Sequence, residues 1–383
     1  MRASMLPQTQ TQIHKQNKKQ IHQHTSRQKK IQPQNNPEKK YEYDVMGVGN
    51  LLMDLLVETH EGILQQLQLR KGEFHLTEEQ QIQKIFHLLE QQGLAIEEVP
   101  GGSSANTIRG VAFLGATAAL CGKLGNDSFG EKYHRELLHL GVTPLTAFSN
   151  EKTTGHALTF ITPDAQRTFS VHLGAAQHLS REDVTEEDIK KAKLLHLEGY
   201  LFEGTTQAAA LHVIRLAKKN NTKISLDLAD PGVVRRNKEL FSHLLAEEVD
   251  IIFTNEEEAK AYTGGNTRDE VSAILAQQVP LAIIKYGVEG SLLLQQGKRI
   301  FVPAFAVQAL DTTGAGDCYA AGFLYGWCNN WDLIKASLLG SLFAAKIVQK
   351  KGVRIDMLSR EEIFKELEEA HERMTFGEPY QKW

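Results

Sequence analysis

From Tyr43 onward the chain alternates short β-branched apolar runs with helical patterns, and few architectures accept that order. Continuous apolar runs are what strands buried on both faces look like, and strands joined through helices run parallel. The expectation is an α/β fold, a doubly wound, mostly parallel sheet with helices on both faces. Strands are expected at Tyr43–Val48, Thr117–Cys121, Leu194–Leu197, Lys223–Leu228, Asp250–Thr254 and Leu281–Lys285. Between them, Thr77 and Gln80 read as a capping box ahead of Ile82, Ile85, Phe86 and Leu89 at helical spacing, with Gly93 ending the run. Thr206–Asn220, Asp332–Lys351 and Ser359–Met374 also read as helices. Two segments break the alternation. Residues 153–173 show extended patterns around a Pro163-Asp164 turn, and Leu52–Glu58 looks strand-like. Together they are expected to form a small separate sheet covering a cleft, a lid drawn from about 51–60 and 153–175.

With 383 residues, 41% of them hydrophobic, the part from 41 to 375 can bury the core of one large domain. Residues 1–40, rich in Gln, Lys, His and Asn, have too few apolar residues to join it and are expected to be a disordered basic tail, with 376–383 as a short C-terminal tail. That first segment carries nine Lys and Arg and one acid, so the net charge of −4 understates the acidity of the rest, which by charge is not expected to bind nucleic acid. Cys121, Cys318 and Cys328 are widely spaced and fit a reducing compartment. No apolar run approaches the roughly 18 residues of a membrane span, so no membrane partner is expected and the cytoplasm is the expected location.

The sharpest motif is Asp311-Thr312-Thr313-Gly314-Ala315-Gly316-Asp317, followed by a helix of small residues from Cys318. Glycines ahead of a helix let backbone N–H groups approach a phosphate, and the helix N-terminus adds about half a positive charge there. The plainer reading of Asp317 is an acid stabilising a first helical turn. A second cluster, Gly101-Gly102-Ser103-Ser104-Ala105-Asn106, enters a helix, and the Asn106 amide suits sugar hydroxyls; otherwise it is a glycine turn with a serine N-cap. The first strand ends at Gly47-Val48-Gly49-Asn50, with Asp54 placed to accept two hydrogen bonds from a vicinal diol or to be a solvated turn acid. Asn255 and Glu258 at a strand end could order the water shell of a Mg²⁺ ion, or form a capping box.

In this order the motifs resemble the PfkB (ribokinase-like) family of carbohydrate and nucleoside kinases, and within it the adenosine-kinase-like branch. The likeness runs from about Tyr43 to about Gly352. Gly101–Gly115 resembles the first family signature and Asp311–Gly326 the second. The resemblance implies that Asp317 is the catalytic base, that Gly314, Ala315 and Gly316 form an anion hole, and that Asn50, Asp54, Gly101, Gly102 and Asn106 hold the sugar. It places Asn255, Lys285, Gly287, Gly290 and Thr312 at the nucleotide, with Glu258 near Mg²⁺ through water, and leaves room for a monovalent cation near Asp311 and Thr313. Two positions depart from the pattern. Lys285 stands where many members have Thr, and Asp227 where ribokinases and adenosine kinases often have Asn.

The spacing of 47 residues between Asp54 and Gly101 and the run Leu197–Phe202 resemble the adenosine-type branch. The implied activity is ATP-dependent phosphorylation of the primary hydroxyl of an adenosine-like ribonucleoside. A kinase of a free sugar (ribose, fructose or a keto-acid sugar) stays open, as does a nucleotide-binding sensor without catalysis. Phe160, Phe169, Tyr200 and Phe202 either flank a base or simply pack in a core. An ordinary Asp, with a pKa near 3.9, is too weak to ionise an alcohol, so proton transfer is expected late in the reaction. Arg167 near the lid tip either reaches the substrate or phosphate side or stays solvated. Oligomeric state is not legible.

Overall fold

The computed structural model describes residues 41–164 and 166–375; both expected tails lie outside them. In chain order the strands are β1 (Tyr43–Val48), β2 (Leu52–Glu58), β3 (Phe74–Leu76), β4 (Glu97–Gly101), β5 (Ala118–Gly125), β6 (Val142–Ser149) and β7 (Gly155–Ile161). They continue as β8 (Arg167–His172), β9 (Ala192–Glu198), β10 (Lys223–Asp227), β11 (Ile251–Asn255), β12 (Leu281–Lys285), β13 (Gly290–Gln295) and β14 (Lys298–Pro303).

The large sheet has the order β14-β13-β12-β11-β10-β9-β1-β5-β6. Every pair from β6 to β12 is parallel, and β13 and β14 extend it as an antiparallel hairpin. Its strands bury both faces. Met46, Leu195, Leu226, Ile252 and Ile284 point into one apolar layer, and Val45, Leu194, Phe253, Ile283 and Leu293 into the other. Each such side chain contributes about 1.5–3 kcal/mol on burial. All six expected strands and the four expected helices are present; β6, β13 and β14 come in addition. The chain builds from β1 outward to β5 and β6, then returns to β9 on the other side of β1. That reversal opens a crevice at the carboxyl ends of β1 and β9, where open α/β sheets bind ligands.

The second sheet, ordered β3-β8-β7-β2-β4, is the expected lid, with β2 paired to the β7–β8 hairpin and the long insertion adding β3 and β4. Met53, Leu55, Val57, Leu158 and Phe160 on one face share a core with Ile63, Leu64, Ile82, Ile85 and Leu89 from the helices Glu61–Gln66 and Glu79–Gln91. On the opposite face, register aligns Asp54 with Ala157, Ala157 with Val171, and Val171 with Leu76 in one row across the strands.

The Thr77–Gln80 capping box is not formed. Thr77 donates its backbone N–H to Val171 O, and its hydroxyl pairs with Ser170 Oγ at 2.6 Å, so the sheet edge claims it and the helix starts at Glu79 without a side-chain cap. Phe160 and Phe202 are fully buried, Phe202 edge-on to Phe241, and neither flanks a cleft. The three cysteines are free and buried, and no helix among the described residues is long and apolar enough to cross a membrane.

Candidate active site

Strand ends and two helix starts converge on Asp317. The helix Ala315–Cys328 begins after Gly314, its N-cap; Ala315 N donates to Thr312 O at 3.2 Å, and the amides of Gly316 and Asp317 belong to its open first turn. The helix Ser103–Leu114 packs alongside it, with Gly110 against Ala321. Ser103 Oγ donates to Asp317 Oδ1 at 2.8 Å, and Asn106 Nδ2 donates to Oδ2 at 3.0 Å. Asn106 is itself oriented, because the buried Arg109 donates to its Oδ1 at 3.2 Å and to Pro100 O at 2.6 Å. Asn106, expected from sequence to hold the sugar, thus also holds the Asp317 carboxylate in this structure. Ser103, read from sequence as a candidate N-cap, is its second holder; the N-cap is Gly102, with no side-chain cap hydrogen bond.

Despite these donors, desolvation dominates and pushes the half-buried Asp317 carboxyl up to about 6. The ordinary pKa taken from sequence is thus too low for this site.

Gly101 and Gly102 matter for steric reasons. Gly102 sits at φ 96°, and a Cβ there would run into Asn50 O; a Cβ on Gly101 would run into the Asp54 carboxylate. The bare backbone lets β2 pass beside β4 with Asp54 laid against it. Asp54 has no hydrogen-bond or ion-pair partner among the described residues. Burial first, opposed by Arg109 and then reinforced by Asp317, pushes its carboxyl up to about 7. Glu198, at the end of β9, ties the crevice together: it accepts from Asn50 N at 2.9 Å and from Ser104 N at 2.7 Å. Desolvation pushes Glu198 up to about 7 as well. Sequence reading gave it no role, since nothing local marks a strand-end acid as the partner of amides 148 and 94 residues away.

At the other side of Asp317, the two positions that depart from the family pattern are bonded to each other. Lys285 Nζ donates to Asp227 Oδ2 at 2.8 Å, both side chains nearly buried. Asn255, paired in register with Lys285, forms a full capping box with Glu258, which accepts from Asn255 N at 2.9 Å. Glu258 is buried, and desolvation followed by the charge of Asp227 raises its pKa. Gly287 and Gly290 shape the turn after β12, and Thr312 is exposed on the Asp311 loop; none of the three is hydrogen-bonded to Asp317 among the described residues.

Arg167 of the lid is not solvated. It pairs with Asp311 at 2.6 Å and donates to Thr313 Oγ1 at 3.0 Å, while Asp311 also accepts from Gly352 N at 2.6 Å. The carboxylate near which a monovalent cation was expected is thus already paired with a fixed positive charge.

No group of three or more His, Cys, Asp or Glu suited to a metal occurs among the described residues. The buried Glu258 fits a divalent ion held mainly by water and phosphate oxygens rather than by a protein cage.

The family model described as pfkB family carbohydrate kinase matches residues 81–360. The chain is 31% identical over 282 residues to the ribokinase of Haemophilus influenzae, covering 70% of this chain and 88% of that protein. It is 29% identical over 286 residues to the 5-dehydro-2-deoxygluconokinase of Listeria monocytogenes, covering 71% and 88%. Among solved structures, the adenosine kinase from Sinorhizobium meliloti superposes with a TM-score of 0.76 at 31% identity, covering 85% of this chain and 99% of that one. With its two signature motifs meeting at Asp317 beneath the lid, this chain belongs to the pfkB family of carbohydrate kinases.

Proposed function

We propose that the protein transfers the γ-phosphoryl group of ATP to the primary hydroxyl of a ribonucleoside. The observation that carries this reading is the lid row. Asp54, a carboxylate with both oxygens free, is followed across the strands by Ala157, Val171 and Leu76, the last 70% exposed. An acceptor with a diol at one end and a flat apolar base at the other matches that polarity. The two arginines at the site are engaged, Arg109 by Asn106 and Pro100 and Arg167 by Asp311. That favours an uncharged acceptor over a keto-acid sugar. A neutral free sugar is the second reading, supported by the likeness to a ribokinase.

In the mechanism, Asn50, Asp54, Gly101 and Gly102 line the acceptor side, and Asn255, Lys285, Gly287, Gly290 and Thr312 the nucleotide side. Asp317, held by Ser103 and Asn106, takes the proton of the attacking hydroxyl as the bond to phosphorus forms. The amides of Gly314, Ala315 and Gly316 stabilise the charge on the transferring group. A Mg²⁺ ion near Glu258, bound through water, would neutralise phosphate charge. The lid, clasped to the anion-hole loop by Arg167, excludes water.

An ADP-release assay with adenosine, inosine, ribose, fructose and a keto-acid sugar tests the assignment. A kcat/KM for ribose or fructose above that of the nucleosides overturns the nucleoside reading and leaves the kinase standing. ATP binding without acceptor-stimulated turnover identifies a sensor instead.

The pKa shifts add a pH prediction. Each raised carboxyl keeps its proton to higher pH and works only when ionised. Turnover at saturating acceptor should therefore fall below about pH 6 through Asp317, while kcat/KM for the acceptor falls already below about pH 7 through Asp54. Coincident limbs, or a flat profile from about pH 5 to 8, contradict this. The linkage sign is that the folded state holds more protons than the unfolded one between about pH 4 and 7, so these acids lower stability as pH rises through that window.

A further inference from the structure

The paired departures Lys285 and Asp227 stand at the mouth of the anion hole. Lys285 Nζ lies 3.0 Å from where a Cβ on Gly316 would be, so the ammonium sits directly over the second residue of the helix Ala315–Cys328. An oxygen accepting from the Gly316 amide would lie on the same side of the helix start as that ammonium. Asp227 takes one of the three N–H donors of Lys285, and the other two have no hydrogen-bond partner among the described residues.

Asp227 is itself fixed. Its other oxygen accepts from Ala229 N at 3.0 Å, and Ala229 is held at φ 69°, a left-handed conformation that residues with a Cβ seldom take. Burial opposes the charge on Lys285, but Asp227, Glu258 and Asp317 around it outweigh burial and raise its pKa, so it stays an ammonium. A Thr and an Asn at these positions would fill the same two strand ends without placing any cation beside Gly316.

We propose that Lys285 is a catalytic residue that binds the transferring phosphoryl group, with Asp227 as its positioning residue. This rests on reading the site as one for phosphoryl transfer and assigns the cation that acts there. In the step, the bond from the γ-phosphorus to the ADP oxygen breaks and its electron pair leaves with ADP. The bond from phosphorus to the acceptor oxygen forms, and the acceptor proton passes to Asp317. Lys285 keeps its proton throughout, donating its two remaining N–H groups to phosphoryl oxygens while Asp227 holds the third.

A double-mutant cycle separates this role from a merely structural ion pair. Lys285→Thr strands the Asp227 carboxylate and should lower both Tm and turnover. Adding Asp227→Asn removes the stranded charge, so the double variant should recover Tm to near wild type. Its kcat should stay about 10²- to 10³-fold down, the usual cost of losing one donor to a developing charge, with acceptor KM changed less than about threefold. Calorimetry without acceptor gives an independent reading: the double variant should lose about tenfold in affinity for MgATP relative to MgADP, since only ATP carries the γ-phosphoryl. Recovery of kcat together with Tm, or an unchanged ATP-to-ADP preference, overturns the proposal. Should the wild-type protein turn over no acceptor, the function proposed above fails, while the nucleotide comparison still decides the role of Lys285.

Discussion

Asp317→Asn is expected to lower kcat by about 10²- to 10⁴-fold while ATP affinity stays within a few-fold. The substitution preserves size, and the Asn carbonyl still accepts from Ser103 Oγ or from Asn106 Nδ2, the two donors that hold the native carboxylate at 2.8 and 3.0 Å. What it removes is the capacity to take a proton. The proposed nucleotide side, from Asn255 through Lys285 to Gly290, is untouched, so binding of ATP supplies the control. Asn106 also constrains the outcome: Arg109 fixes its Oδ1, so its Nδ2 cannot flip away to suit a new donor at 317. Near-normal turnover in the variant identifies Asp317 as a helix-terminal acid and removes the proposed base.

Local pattern was enough to read what local physics decides. β1, β9, β10, β11 and β12 announce themselves because both faces are buried, and the glycines at 101, 102 and 314 because a Cβ would collide at each. The Asn255–Glu258 pair spans a single turn and was correctly read as able to form a capping box. β6 was missed because it is a half-buried edge strand containing Pro144, and β13 and β14 because an antiparallel hairpin breaks the βα alternation. The Thr77 cap failed because a strand edge formed with residues almost a hundred positions later competes for the same groups. The contacts that assemble the site have this long-range character too. Arg167 meets Asp311, Lys285 meets Asp227, and Glu198 meets the amides of Asn50 and Ser104, all through topology rather than spacing. The two departures at 227 and 285 looked like separate doubts in the sequence. In three dimensions they are a single ion pair.

Asp54→Ala is expected to weaken the acceptor by about 10²-fold or more while sparing ATP, because two charge-assisted hydrogen bonds of roughly 1.5–3 kcal/mol each are lost from the substrate diol. Asp54 suits this role by what it lacks. It has no protein partner among the described residues, and it lies against Gly101 under the lid face. An acid kept unpaired there has its pKa pushed up to about 7, a cost to folding that a structural carboxylate would relieve by pairing. Two outcomes follow that a general loss of fold would not produce. The Ala variant should not lose Tm at pH 8, where the wild-type carboxylate is ionised and unfavourable. Its acceptor defect should also shrink toward pH 5, where the wild-type carboxyl is itself protonated and has lost its charge-assisted bonds. The defect should be larger for a nucleoside than for a primary alcohol without a diol, measured as kcat/KM on both. Equal losses on the two acceptors, or a defect that does not narrow with falling pH, would remove Asp54 from the diol and with it the polar end of the proposed nucleoside platform.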